Sequence, residues 1–105
     1  MANTIVSNNR FIDVTGADGS TAIDADYTAS VGQLYSIMLI PGGSSDQLVV
    51  KDGNAAGPQI MNVTVTATSD EQVMYFHGKS AQPFIDVSAC SFSAGARVLM
   101  HHEIN

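Results

Sequence analysis

The chain has no tryptophan, one cysteine, three prolines and only four cationic side chains in 105 residues. Each shortage excludes something. Cys90 has no second cysteine to pair with, and in Val87-Ser88-Ala89-Cys90-Ser91 it reads as a small core residue. Arg10, Lys51, Lys79 and Arg97 are scattered among ten acids, giving a formal charge of −6. A protein that grips phosphates needs clustered cations, so neither nucleic acid nor an anionic membrane is expected as a partner. The longest apolar run, Ile37 to Pro41, is too short to span a bilayer. Met1-Ala2-Asn3-Thr4-Ile5 lacks the cationic start and apolar stretch of a signal peptide. A soluble chain made in a reducing cytoplasm is the expectation.

Amphipathic helix is also missing, with room for a turn or two only around Asp24 to Val31. What is present is β punctuation, short runs separated by turn residues. In Ile60 to Thr68, Met61, Val63, Val65 and Ala67 alternate with Asn62, Thr64, Thr66 and Thr68. Successive strand side chains face opposite sides, so this run has one buried and one wet face. Further strands are expected at Thr4 to Val6, Arg10 to Thr15, Gln33 to Ile40, Gln47 to Lys51, Gln72 to His77, Phe84 to Cys90 and Ala96 to Ile104. A weak strand is expected at Thr21 to Ala25, and a linking loop at Asp26 to Val31. Turns are expected at Gly16 to Ser20, Pro41 to Ser45, Gly78 to Gln82 and Ser93 to Gly95, with a wide loop from Asn54 to Pro58. Eight or nine short strands at regular spacing predict one all-β domain, an antiparallel, jelly-roll-like β-sandwich over residues 1–105.

Leu34 to Ile40 breaks the alternation. Strict alternation places Leu34, Met38 and Ile40 on one face and Tyr35, Ile37 and Leu39 on the other, both apolar. An antiparallel sheet with a wet face should not read so. Either the N-terminal segment covers the outer face or another subunit packs there. Tyr35, Ile37 and Leu39 are therefore candidate interface residues, and Val98-Leu99-Met100 raises the same question more weakly.

No pattern carries catalysis. His101 and His102 are adjacent and on a strand point to opposite faces, so they cannot share an ion without distortion; His77 ends a different strand and could approach one of them. Zinc needs three or four ligands. Asp24 and Asp26, with Asp18 upstream, lack the calcium-loop pattern. Asp13, Asp86 and Glu103 are strand acids that a glycosidase would pair across a cleft, but nothing places them in one. Gly42-Gly43-Ser44-Ser45 opens no helix and lacks the lysine of a phosphate loop. No serine sits in a nucleophile elbow. No enzyme activity, metal or cofactor is expected.

From Gly32 onward the layout resembles small virion proteins of tailed phages. Leu34 to Ile40 leads into Pro41-Gly42-Gly43-Ser44-Ser45, and Leu48-Val49-Val50 into Lys51-Asp52-Gly53. Ala55-Ala56-Gly57 then precedes Ile60 to Ala67, followed by Val73 to Phe76, Pro83-Phe84-Ile85-Asp86-Val87 and Gly95-Ala96-Arg97-Val98. The resemblance covers about seventy residues and implies a β-sandwich that decorates or cements the head shell, or belongs to the tail. It implies the major capsid protein or another virion protein as partner, a virion location, and a homo-oligomer, by analogy a trimer. Thr4, Ile5 and Val6, within Ala2 to Asn9, would be either a partner-binding arm that adds a strand to a neighbour's sheet or an edge strand of the same domain. The His101-His102-Glu103 ending lies outside this layout. Two other classes stay open: a receptor- or carbohydrate-binding module, which needs clustered aromatics where Tyr27, Tyr35 and Tyr75 are far apart in sequence, and a cupin-like metal enzyme.

Overall fold

The computed structural model describes residues 3–8, 10–17, 21–29, 31–68 and 70–103, without the side chains of 31, 32, 77–81 and 103. Nine strands form two antiparallel sheets: β1 (Thr4–Ser7), β2 (Phe11–Thr15), β3 (Tyr27–Thr28), β4 (Val31–Ile40), β5 (Gln47–Asp52), β6 (Gln59–Thr64), β7 (Gln72–Ala81), β8 (Pro83–Ile85) and β9 (Arg97–Glu103). One sheet runs β1-β2-β9-β4-β7, the other β3-β8-β5-β6. Leaving β1 aside, the partners nest as β2 with β9, β3 with β8, β4 with β7 and β5 with β6. This is one long hairpin rolled over itself, the jelly-roll order.

The inner faces meet in one core that includes Ile12 and Val14 of β2, Leu34, Ile37 and Leu39 of β4, Leu48 and Val50 of β5, Met61 of β6, Ile85 of β8 and Val98 and Met100 of β9. Alternation seats most of them. In β6 Met61 is buried between half-buried Ile60 and exposed Asn62, and the pattern continues to buried Val65 beyond the strand. Ala67 is exposed, so the run expected to reach Thr68 loses its buried face after Val65.

Several boundaries move. Thr21 to Ala25 is not a strand, because Asn3 captures its backbone: the Asn3 amide donates to the Ala25 carbonyl at 2.6 Å, and its oxygen accepts from the Asp24 and Ala25 amides. The strand falls on Tyr27–Thr28 instead, inside the expected loop, where Tyr27 packs on the core. Gly78 to Ala81 continues β7 rather than turning, with register shifts against β4. The expected turn at Gly16 to Ser20 falls partly on residues 18–20, outside the described residues, as does the end of β9 at Ile104.

Phe84 to Cys90 is not one strand. Val50 pairs with Ile85, so uninterrupted pairing would bring Gln47 to Ser88, yet Gln47 bridges Ser91. The three extra residues are the 3-10 turn Val87–Ala89. Asp26 accepts the Val87 amide at 2.8 Å. This detour brings Cys90 alongside β5, where it packs against the core and its sulfur meets the Val49 amide at 3.1 Å and carbonyl at 3.4 Å. Val49, at an outward position of its strand, is buried.

Candidate contact face

The anomaly in β4 resolves as a bulge. Against β9, Leu34 pairs with His102 and Ser36 with His101, so Tyr35 is an extra residue. A bulge of this kind shifts which residues face each side. Leu34, Ile37 and Leu39 therefore point inward together, all at 0% exposure. The candidate interface set Tyr35, Ile37 and Leu39 is split: Ile37 and Leu39 belong to the core, and Tyr35 stays outside with Met38 and Ile40. The outer face of β4 is still apolar, with different members.

The N-terminal segment does not cover it. Thr4, Ile5 and Val6 lie in β1 and pair with Thr15, Val14 and Asp13 of β2, as the edge strand of the sheet. In this arrangement they are not a detached arm; residues 1, 2 and 9 of that segment are outside the described residues.

Register then assembles a surface. Val6 lies opposite Asp13, Asp13 opposite Leu99, Leu99 opposite Met38 and Met38 opposite Val73, one row across all five strands. A second row joins Phe11, His101, Ser36 and Tyr75. Among the described residues the large hydrophobics that remain exposed are Val6, Phe11, Val73 and Tyr75, at outward positions of this sheet, and Ile5, which lies opposite buried Val14 on the inner side of the edge strand. Val6 and Tyr75 are 65% and 67% exposed. The outward side of the other sheet carries Gln47, Lys51, Asn62 and Thr64 with Phe84, half-buried opposite Lys51, and Val49, which is buried. The two outer faces differ in kind.

Phe11 and His101 stack at 4.9 Å with planes 18° apart, and Tyr35 tilts onto His101 at 5.4 Å. The Tyr35 hydroxyl donates to Gln33 at 3.0 Å. Ring spacing therefore matches strand spacing, so these rings stand upright and spend their faces on each other. Sequence separation hid this cluster, and the bulge that creates it has no marker in the residues. Among the described side chains of the face the charge is a single pair: Arg97 donates to Asp13 at 2.6 Å and 3.3 Å. That bond raises the Arg97 pKa further.

The other candidates disperse. Asp13 pairs with Arg97 on one sheet and Asp86 with Lys51, at 2.8 Å, on the other; the Glu103 side chain lies outside the described residues, as do His77's side chain and Asp18. Hydrogen bonds from Lys51 and then Ser88 hold Asp86 below the usual carboxylate range. Lys51-Asp52-Gly53 builds a hairpin: Lys51 also donates to the Ala55 carbonyl, Asp52 accepts the Gln82 amide, and Gly53 has φ +89°. Burial pushes the Cys90 thiol up to about 11. His101 and His102 do face opposite ways, but His102 is no solvated strand end: it is 3% exposed, and neither ring nitrogen has a hydrogen-bond partner.

Asp46, which the sequence reading passed over, is the best-connected buried acid. At 1% exposure it accepts the Gly42 and Gly43 amides at 2.8 and 3.2 Å, and the Ser93 amide and hydroxyl at 3.0 and 2.7 Å. Burial works against its charge, but the bonds from Ser93, Gly42 and Gly43 hold it below the ordinary carboxylate range. It is a structural knot joining the β4–β5 connection to the turn before β9. Among the described residues, no three His, Cys, Asp or Glu side chains gather as a metal site, and no pocket opens. Compared with family models, with curated proteins and with solved structures, the chain finds no match in any of the three.

Proposed function

We propose that this chain is a structural protein of a tailed-phage virion, a decoration or cement protein that binds the outer head shell and stabilises it, working through self-association and contact with the major capsid protein. The observation that carries the reading is the apolar outer face of the five-stranded sheet. Monomeric soluble proteins rarely leave contiguous apolar patches exposed unless they are contact surfaces. The layout resemblance supplies the virion context, and jelly rolls recur among viral capsid domains, which is support by fold analogy alone. A charge of −6 suits the outside of a shell better than a DNA-filled interior, where phosphates would repel it.

A tail or fibre module that binds carbohydrate is the other reading. Sugars stack on clustered free aromatic faces, and here Phe11 and Tyr35 both pack on His101, while Tyr75, 67% exposed, is a lone ring rather than a cluster. The shell reading is favoured. Quantitative mass spectrometry of purified particles tests it. Hundreds of copies per particle support decoration, a few copies point to tail or fibre, and none rejects a virion role.

A further inference from the structure

We infer that the outer face of the five-stranded sheet seats a second copy of this chain, packed face to face about a two-fold axis. The inference rests on reading the chain as a contact protein. The first argument is charge. Two copies that each carry −6 repel wherever their acids lie within about 8 Å of one another. Among the described side chains at outward strand positions of this sheet, the charges are Asp13 and Arg97, already bonded to each other. Among those side chains an acidic or basic partner finds no unpaired opposite charge, whereas a copy of the same face brings its own Asp13–Arg97 pair already neutralised.

The second argument is shape and size. A sheet face packs on another at about 10 Å with strands within about 30° of parallel. The row Val6, Asp13, Leu99, Met38, Val73 supplies interdigitating apolar groups at four of its five positions, with Asp13 paired to Arg97 at the fifth. Five strands at about 4.8 Å and three outward rows spaced by about 7 Å give a projected face of roughly 500 Å². Two copies then bury about 1,000 Å² or somewhat more, the lower end of specific interfaces. A concentration-dependent dimer follows. A face that meets its own copy closes as a pair, while a three-fold ring requires two different faces.

Sedimentation velocity on the full chain, from low micromolar to near-millimolar concentration, tests this. Wild type is expected to pass from monomer to dimer. Tyr75→Glu and Val6→Lys change side chains about two-thirds exposed, so they should keep the wild-type Tm while weakening dimerisation at least 100-fold. Asn62→Lys, on the outer face of the other sheet, should dimerise like wild type. Wild type that stays monomeric, forms a trimer, or gives a dimer that Asn62→Lys disrupts and Tyr75→Glu spares overturns the inference. A monomer whose binding to purified shells is lost in Tyr75→Glu makes the shell protein the occupant; this sinks the second-copy inference and leaves the proposed function standing. A dimer with no shell binding does the reverse.

Discussion

Replacing Asp46 with asparagine keeps the shape of the side chain and removes only its charge and one acceptor. The carboxylate takes four hydrogen bonds from two separate segments, and no cation supplies any of them. An amide has one oxygen and one NH₂ group. With the oxygen toward Gly42 and Gly43, the NH₂ faces Ser93; the serine hydroxyl can turn to accept, but the Ser93 amide loses its partner. The opposite orientation strands two glycine amides instead. The better choice still leaves one buried N–H unpaired, at a cost of about 1–3 kcal/mol, and the remaining bonds fall from charge-assisted to neutral strength, roughly 1 kcal/mol each. The neutral side chain is easier to bury, which returns part of that loss. The net expectation is destabilisation by about 3 kcal/mol, or a Tm lower by about 12 °C at this chain length.

The pH dependence gives a second, independent readout. Asp46 has a folded pKa below its unfolded value, so its stabilising contribution is present above the unfolded carboxylate range near pH ~4 and is lost as pH falls through the folded value. Asp46→Asn has no such loss to suffer. Its gap from wild type should therefore be widest near neutrality and narrow below about pH 4. With no tryptophan, urea unfolding is best followed by far-ultraviolet circular dichroism. Ser93→Ala, which removes only the hydroxyl donor, should cost about 1 kcal/mol. An Asp46→Asn protein within about 0.5 kcal/mol of wild type at neutral pH, or a gap unchanged to pH 2, would refute the reasoning.

Three further outcomes follow from individual residues. His102→Leu should raise stability by about 1 kcal/mol, since it replaces a buried ring with two unpartnered nitrogens by an apolar group of similar size; a loss above 1 kcal/mol in urea unfolding would mean the ring is satisfied in solution. Gly95 sits at φ +85° with open space around its Cα, so Gly95→Ala should cost about 1 kcal/mol from backbone conformation alone, and an unchanged Tm would contradict that. Cys90, with its pKa near 11, is about 0.1% thiolate at pH 8, so a disulfide reagent should label folded protein slowly and urea-unfolded protein fast. Equal rates would show an open thiol.

The regular parts of this fold were legible because alternation is a local property. The strands holding Ile12, Val14, Val98 and Met100 could be placed, and Met61 and Val65 could be assigned to a buried face from their own neighbours. So could the opposite orientations of His101 and His102. The failures lie where backbone hydrogen bonds depend on distant residues. Nothing local says that Asn3 will occupy the backbone of Asp24 and Ala25, or that β7 will run through Gly78 by pairing with β4. Asp46 resembled any loop acid, since its partners lie partly 47 residues away. The doubly apolar reading of Leu34 to Ile40 detected a true anomaly and misassigned its parts, because a one-residue bulge reverses every side chain beyond it.

The same bulge accounts for the character of the contact face. Without it, pairing continued from Leu34 and His102 would turn Ile37 and Leu39 outward and Met38 and Ile40 inward. The insertion Val87–Ala89 shapes the other sheet, setting Cys90 against the Val49 backbone while Asn62 and Thr64 face water. The bulge in β4 thus gives the sandwich a more apolar outer face on one sheet than on the other. A jelly roll with two wet faces would be a solitary domain, and one with two apolar faces would aggregate without limit. A single apolar side lets association stop after one partner is bound, the property required of a protein that must reach a definite site on an assembly without joining others of its kind indefinitely.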